Sequence, residues 1–380
     1  MLKINQLKCF EICWVCYALF MALFNSHYVK DNIIPGFFAN FLMIPVIIFS
    51  FLNIKSYILN RGTIFWSFVY LFVYTFVLYL LYKNTLYLTV LVMFSAYNIK
   101  LPDVLRIATR TLCIIILLVY YGVIIGIIGD EEVIRLNVSE YNLFVMKGHS
   151  LGFNYYSVPA FYSISFFMYG LFLIKDRNLF YLVPLSLFAV GVYWVTVTRL
   201  QLAFCAVALL LYILLYRLNL FNMMKCVWKY IAICGFPTLM FVNYFFFSNR
   251  HFRYIYQDEL INYIFSGRFS LNAEAFKRYD VNLLGNNIEM NAGELGEYFY
   301  IDSGYIRCLL ENGLLFTAFY MIMLSYVFYY FFKTNNAILY IWMMSIMIFS
   351  LLNNLFFSLL ANPLLTIAVS AMFPKNQSNK

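Results

Sequence analysis

"TIFWSFVYLFVYTFVLYLLY", residues 63–82, contains no charged side chain and no proline. A helix rises 1.5 Å per residue, so a run of this length spans the roughly 30 Å hydrocarbon core of a bilayer. Runs of the same kind recur from end to end of the 380 residues, of which 64% are hydrophobic, 21% aromatic and only 11% charged. A soluble domain could not cover so much apolar surface. The fold class expected is therefore all-α: a polytopic integral membrane protein.

Twelve spans are expected, near 9–24, 33–54, 63–82, 85–98, 111–128, 158–174, 179–197, 201–216, 229–247, 305–332, 337–353 and 356–373. No small-residue cleavage site follows the first, which reads as a retained helix and not a signal peptide. The seventh and eighth are separated only by "TVTRLQ", where Arg199 interrupts the hydrophobicity. Residues 1–380 form one transmembrane domain on this reading, with the 248–304 stretch as a large external loop inserted in it. That loop holds a helix-like piece, "LNAEAFKRY" (271–279), and a Gly/Asn turn region, "LLGNNIEMNAGELGEY" (283–298). A loop so long is functional or disordered, and its Phe, Tyr and Leu content favours the first.

Orientation follows from the short loops. One side carries Lys55, Arg61, Lys100, Arg106, Arg110, Lys175, Arg177, Arg217, Lys225, Lys229 and Lys333, together with the lysines at both termini; the other carries only Lys30, Lys83, Arg135, Lys147 and Arg199. The positive-inside bias puts both termini in the cytoplasm. It also accounts for the net charge of +9, which is spread over loop ends and gives no basic face for a nucleic acid. His27, His149, His251 and most of the 17 acidic residues then fall outside, so the chemistry is expected outside. Cys13 and Cys16 form a C-x-x-C, but within an apolar run and with no second pair or histidine near; no metal site or other cofactor is expected.

Four stretches resemble, in order and spacing, the motifs of the Wzy-type lipid-linked polysaccharide polymerases. "KGHSLGFNYYS" (147–157) resembles their R-x-S-L-G-F-x-x-P-N, and "YWVTVTRLQLAF" (193–204) their short S/T-R motif between helices. "FSGRFSLNAEAFKRYDVNLLGNN" (265–287) resembles their S-G-R loop, and "IDSGYIRCLLENGLLF" (301–316) the D-N/S-x-Y segment entering the next helix. Two departures stand out: the family's arginine falls at Gly148, beside Lys147, and its Pro-Asn at Tyr156-Ser157. The related O-antigen ligases carry histidine where this chain has Asp302.

The resemblance implies a fold like that of the lipid-phosphosugar (GT-C) glycosyltransferases. It also implies an activity: transfer of a growing glycan from undecaprenyl diphosphate to a sugar hydroxyl of a second lipid-linked repeat unit, on the outer face of a bacterial cytoplasmic membrane. The partners implied are that donor and acceptor, the membrane lipids, a flippase and a chain-length regulator.

Such chemistry needs cations on the leaving diphosphate and a group on the acceptor hydroxyl. Arg199, at the outer end of a helical hairpin, is the expected diphosphate ligand, since a planar guanidinium pairs two oxygens and stays ionised. Arg268 is expected to close over the substrate. Asp302 is expected to orient the acceptor hydroxyl or take its proton, with Tyr305 on the same helical face; a plain helix N-cap is its structural alternative. The three residues Arg199, Arg268 and Asp302 are expected to line one external cavity. Arg250, His251 and Arg253, in "NRHFRY", and Lys147, His149 and Arg307 complete the binding candidates, His149 and His251 as rival bases and Arg307 as an ion-pair partner for Asp302. A flippase or other transporter would instead carry charge within its spans and only short loops. A polysaccharide ligase is the nearest enzymatic alternative.

Overall fold

A computed structural model describes residues 5–26, 40–58, 62–82, 84–130, 132–139, 142–155, 157–174, 178–256, 258, 267–290, 299–354 and 357–373. His27 and much of the 248–304 loop lie outside them. The apolar runs become helices, as their length and want of breakers require: α1 (Gln6–Phe24), α2 (Met43–Ile58), α3 (Gly62–Tyr82), α4 (Leu86–Ser95), α5 (Leu101–Ile124), α6 (Ser157–Ile174) and α7 (Leu182–Thr196). There follow α8 (Arg199–Leu211), which runs on in π-helical form to Arg217, then α9 (Lys225–Ser248), α10 (Arg268–Arg278), α11 (Gly304–Lys333) and α12 (Ala337–Phe349). Among the described residues, eight helices are long and apolar enough to cross a membrane, the make-up of a multi-pass membrane protein. Large apolar side chains stay exposed on them, Trp66, Trp194 and Phe241 among others, as lipid contact permits.

Four of the expected spans are shorter apolar helices, of 10–17 residues. A ten-residue helix such as α4 reaches only about 15 Å, half the hydrocarbon thickness. The last run, expected over 356–373, holds a 3-10 turn (Pro363–Ile367) leading into a five-residue helix. Pro363 lacks the N–H a longer helix would need, and Asn362 before it is non-helical, at φ −133° and ψ 77°. One element departs from the all-helical expectation: strands β1 (Glu132–Ser139) and β2 (Asn142–His149) pair antiparallel, Glu132 opposite His149 and Ser139 opposite Asn142. Their Val, Ile, Leu and Phe content suits a strand pair.

The chain gathers into two compact units, interleaved in sequence. The first comprises Met1–Phe68, Leu88–Ile213 and Leu359–Ser370. In it α1 packs on α2 and α5, and α6 packs on α7 and α8. Buried polar groups tie its helices together: Asn53 Nδ2 donates to the carbonyls of Gln6 and Ser95, and Ser165 Oγ reaches those of Leu360 and Ala361. The second unit comprises Val69–Tyr87, Leu214–Ser358 and Ala371–Lys380. Here α9 runs along α11, α12 packs on α11, and α10 lies against α9. The helix expected at 271–279 is α10. Ala273 and Ala275 of α10 pack into a cluster with Phe247, Phe299, Ile301, Ile306 and Leu310, which seats this extramembrane helix on the beginning of α11.

Candidate functional site

In the second unit, the seating of α10 decides where its first residue points. Arg268 Nε lies 3.5 Å from Asp302 Oδ2, with the two side chains 23% and 17% exposed. Of the three residues expected to line one cavity, Arg268 and Asp302 lie together in this unit, and Arg199 belongs to the other. Burial pushes the Asp302 carboxyl above its ordinary range, against the opposing pull of Arg268 and Arg307. The N-cap alternative is corrected: Ser303 caps α11, its side chain accepting from the Ile306 N–H. The Ser303 amide in turn donates to Asn272 Oδ1 at 3.4 Å, one turn along α10 from Arg268. Asp302 is thus relieved of capping and fixed from both sides.

Two expectations change. Tyr305 is wholly buried and its hydroxyl donates to the Met347 carbonyl at 2.8 Å, so it serves the packing of α11 on α12. Arg307 pairs with Glu311, not Asp302: Nε donates to Glu311 Oε2 at 2.6 Å, because four residues on a helix share a face. Arg307 also donates to the Tyr300 hydroxyl, as does Asn354, each at 3.3 Å, and Asn84 Nδ2 reaches Glu311 Oε1 at 3.4 Å. Tyr300, Asn84 and Asn354 therefore join the polar set. Asn84 and Asn354 come from segments distant in sequence, and no local pattern announced them. His251 is exposed in a 3-10 turn, its backbone amide donating to Asn249 Oδ1. The side chains of Arg250 and Arg253 lie outside the described part of the chain.

Beneath this set, α11 is interrupted. Gly313 takes φ 81° and ψ 167°, a conformation closed to other residues at low cost. Residues 282–286 fill the gap: Leu314 N–H donates to the Asn282 carbonyl at 2.9 Å, and Asn286 N–H to the Leu310 carbonyl at 2.8 Å. The Tyr74 hydroxyl sits 3.1 Å from the Leu283 carbonyl and 2.9 Å from that of Asn312, while the Tyr82 hydroxyl donates to Gly285. Gly285 has φ +84°, and a Cβ there would overlap the Glu311 carbonyl; one on Gly313 would overlap that of Leu283. Gly285→Ala and Gly313→Ala are each expected to cost about 2 kcal/mol or more. The measure is thermal unfolding in detergent beside Tyr74→Phe, which removes one hydroxyl and is expected to be milder. Unchanged melting for both alanine variants refutes the close fit.

The first unit holds the other candidates. Val197, left-handed at φ 52°, ends α7, and extended Thr198 starts α8 without a side-chain cap bond. The break expected at "TVTRLQ" is real, and Arg199 is the exposed first residue of the new helix. Its N-terminal amides face the same way as a site for negative charge requires. The end of β2 lies on this break. A Cβ on Gly148 would stand 3.0 Å from both the Thr196 carbonyl oxygen and Val197 Cγ2. A side chain at 148 would therefore require the break to give by a few tenths of an ångström. Lys147 is exposed and pairs with Glu132 at 3.2 Å. His149 Nδ1 lies 2.9 Å from Asp130 Oδ2, and Ser150 Oγ donates to Asp130 Oδ1 at 3.0 Å. Asp130 was missed because only the hairpin brings it to His149.

Among the described residues no three His, Cys, Asp or Glu side chains form a metal-binding group. No protein-family model, curated protein or solved structure matches the chain.

Proposed function

We propose that this protein polymerises undecaprenyl-diphosphate-linked oligosaccharide repeat units into a surface polysaccharide, at the outer face of a bacterial cytoplasmic membrane. Both termini are cytoplasmic in this reading, the chain crosses twelve times, and the architecture is of the GT-C kind. One observation carries it furthest: a desolvated Arg268–Asp302 pair at the head of a long apolar helix, with the carboxylate free of any capping duty. A charge pair held out of water is costly to keep, and at a membrane surface such a group is a functional candidate by default. The four motif resemblances supply the reaction class.

The roles follow from charge and geometry. Arg199 takes the diphosphate, whose negative charge grows as the glycosidic bond to it breaks. Asp302, held by Arg268, accepts hydrogen bonds from sugar hydroxyls and orients them. The test uses purified protein in proteoliposomes and lipid-linked repeat units extracted from cells deleted for it. A ladder of longer lipid-linked glycans, with release of undecaprenyl diphosphate, is the expected result. Movement of labelled lipid between leaflets without lengthening would make the protein a flippase, and transfer of finished glycan to another acceptor would make it a ligase.

A further inference from the structure

We infer that Asp130 and His149 form a dyad that takes the proton from the attacking sugar hydroxyl. The inference rests on the polymerase reading and assigns its proton-transfer step.

The argument starts from the hairpin. Its register sets His149, the last residue of β2, opposite Glu132 and two rungs from Lys147. Glu132 and Lys147 neutralise each other at 3.2 Å. That leaves Asp130 as the carboxylate engaged with the imidazole, at 2.9 Å from Nδ1. Ser150 donates to the other Asp130 oxygen, so the carboxylate is held by two donors and cannot turn away. With Nδ1–H given to Asp130, the second ring nitrogen, Nε2, carries the lone pair, and no described residue bonds to it. The side chain is 40% exposed, within reach of a substrate. A carboxylate that fixes the tautomer of a histidine and steadies the imidazolium that follows is the arrangement of a general base.

The hairpin end also has an informative address. Gly148 touches the Thr196–Val197 break, and two residues beyond that break α8 opens with Arg199. The dyad and the cation for the leaving group thus belong to one neighbourhood of one unit. Among the described side chains, Glu132 and Lys147 of the hairpin are already paired with each other.

The step balances. The acceptor O–H bond breaks and its proton passes to His149 Nε2. The freed electron pair of the oxygen forms the new bond to the anomeric carbon. The bond from that carbon to the diphosphate oxygen breaks, and its electron pair leaves with the diphosphate. Asp130 keeps its hydrogen bond to Nδ1 throughout.

His149→Ala is expected to lower the polymerisation rate by about 10²–10⁴. Added imidazole should restore it at least tenfold, which a residue of purely structural value would not permit. Asp130→Asn should fall in the same range, and the double variant should be no worse than His149→Ala, since the two act as a unit. Full-rate polymerisation by His149→Ala, or a loss that imidazole leaves untouched in a protein with unchanged melting, overturns the dyad. If the unaltered protein makes no polymer from extracted repeat units, the polymerase reading itself fails. An inactive His149→Ala without imidazole rescue, beside an active parent, counts against the dyad alone.

Discussion

Arg199→Lys is expected to lose polymerisation nearly as completely as Arg199→Ala, by about 10²–10³ in rate. Both retain or remove charge at the first residue of α8, but only arginine presents a planar fork that grips two oxygens of a diphosphate at once. Among the described residues no carboxylate pairs with Arg199. Glycan chain length in a strain lacking its own polymerase gene is the measurement, and failure leaves a single lipid-linked repeat. Long polymer from Arg199→Lys would mean that the side chain merely anchors a helix end, since lysine snorkels as well as arginine.

Asp302→Asn is expected to abolish polymer with abundance and melting unchanged, a loss on the order of 10²–10⁴. Asparagine keeps the shape but neither the negative charge nor a second acceptor oxygen. Stability should not follow activity, and the sign can be worked out. Burial raises the Asp302 value in the folded protein, so its contribution to stability is present below the unfolded value and is lost as pH rises through the folded one. Above the folded value the buried charge weighs against the fold, a cost that asparagine, which keeps the shape, does not carry. Ser303→Ala gives the contrast. It removes the actual cap of α11 and should cost about 1 kcal/mol of stability, with a far smaller effect on rate. If Asp302→Asn supports full polymer, the pair with Arg268 is structural.

The membrane helices were legible because each is a long apolar run with few charges, and the α7–α8 break because an arginine and two threonines interrupt such a run. The amphipathic α10 showed in "LNAEAFKRY", whose start the structure moves to Arg268. Charge partners were harder to read. Arg307 could have paired within its own helix or with the residue before it, and only the start of α11 at Gly304 settles that Glu311 shares its face. The hairpin escaped because its residues lie in what read as a connecting loop, and with it went Asp130. Gly313 escaped for another reason. A glycine in an apolar helix is ordinary, and its broken conformation depends on a segment that arrives from elsewhere.

The mutual contact of Gly285 and Gly313 ties a knotless ring out of the chain between them, a circuit sealed by backbone and not by covalent chemistry. A circuit closed at its base isolates what happens along its rim. The spacing from Arg268 to Gly285 is fixed by α10 and the seal. Natural variation in substrate recognition can therefore accumulate on the rim, as it does on the exposed loops of other scaffolds, while the charged frame at its root stays in register.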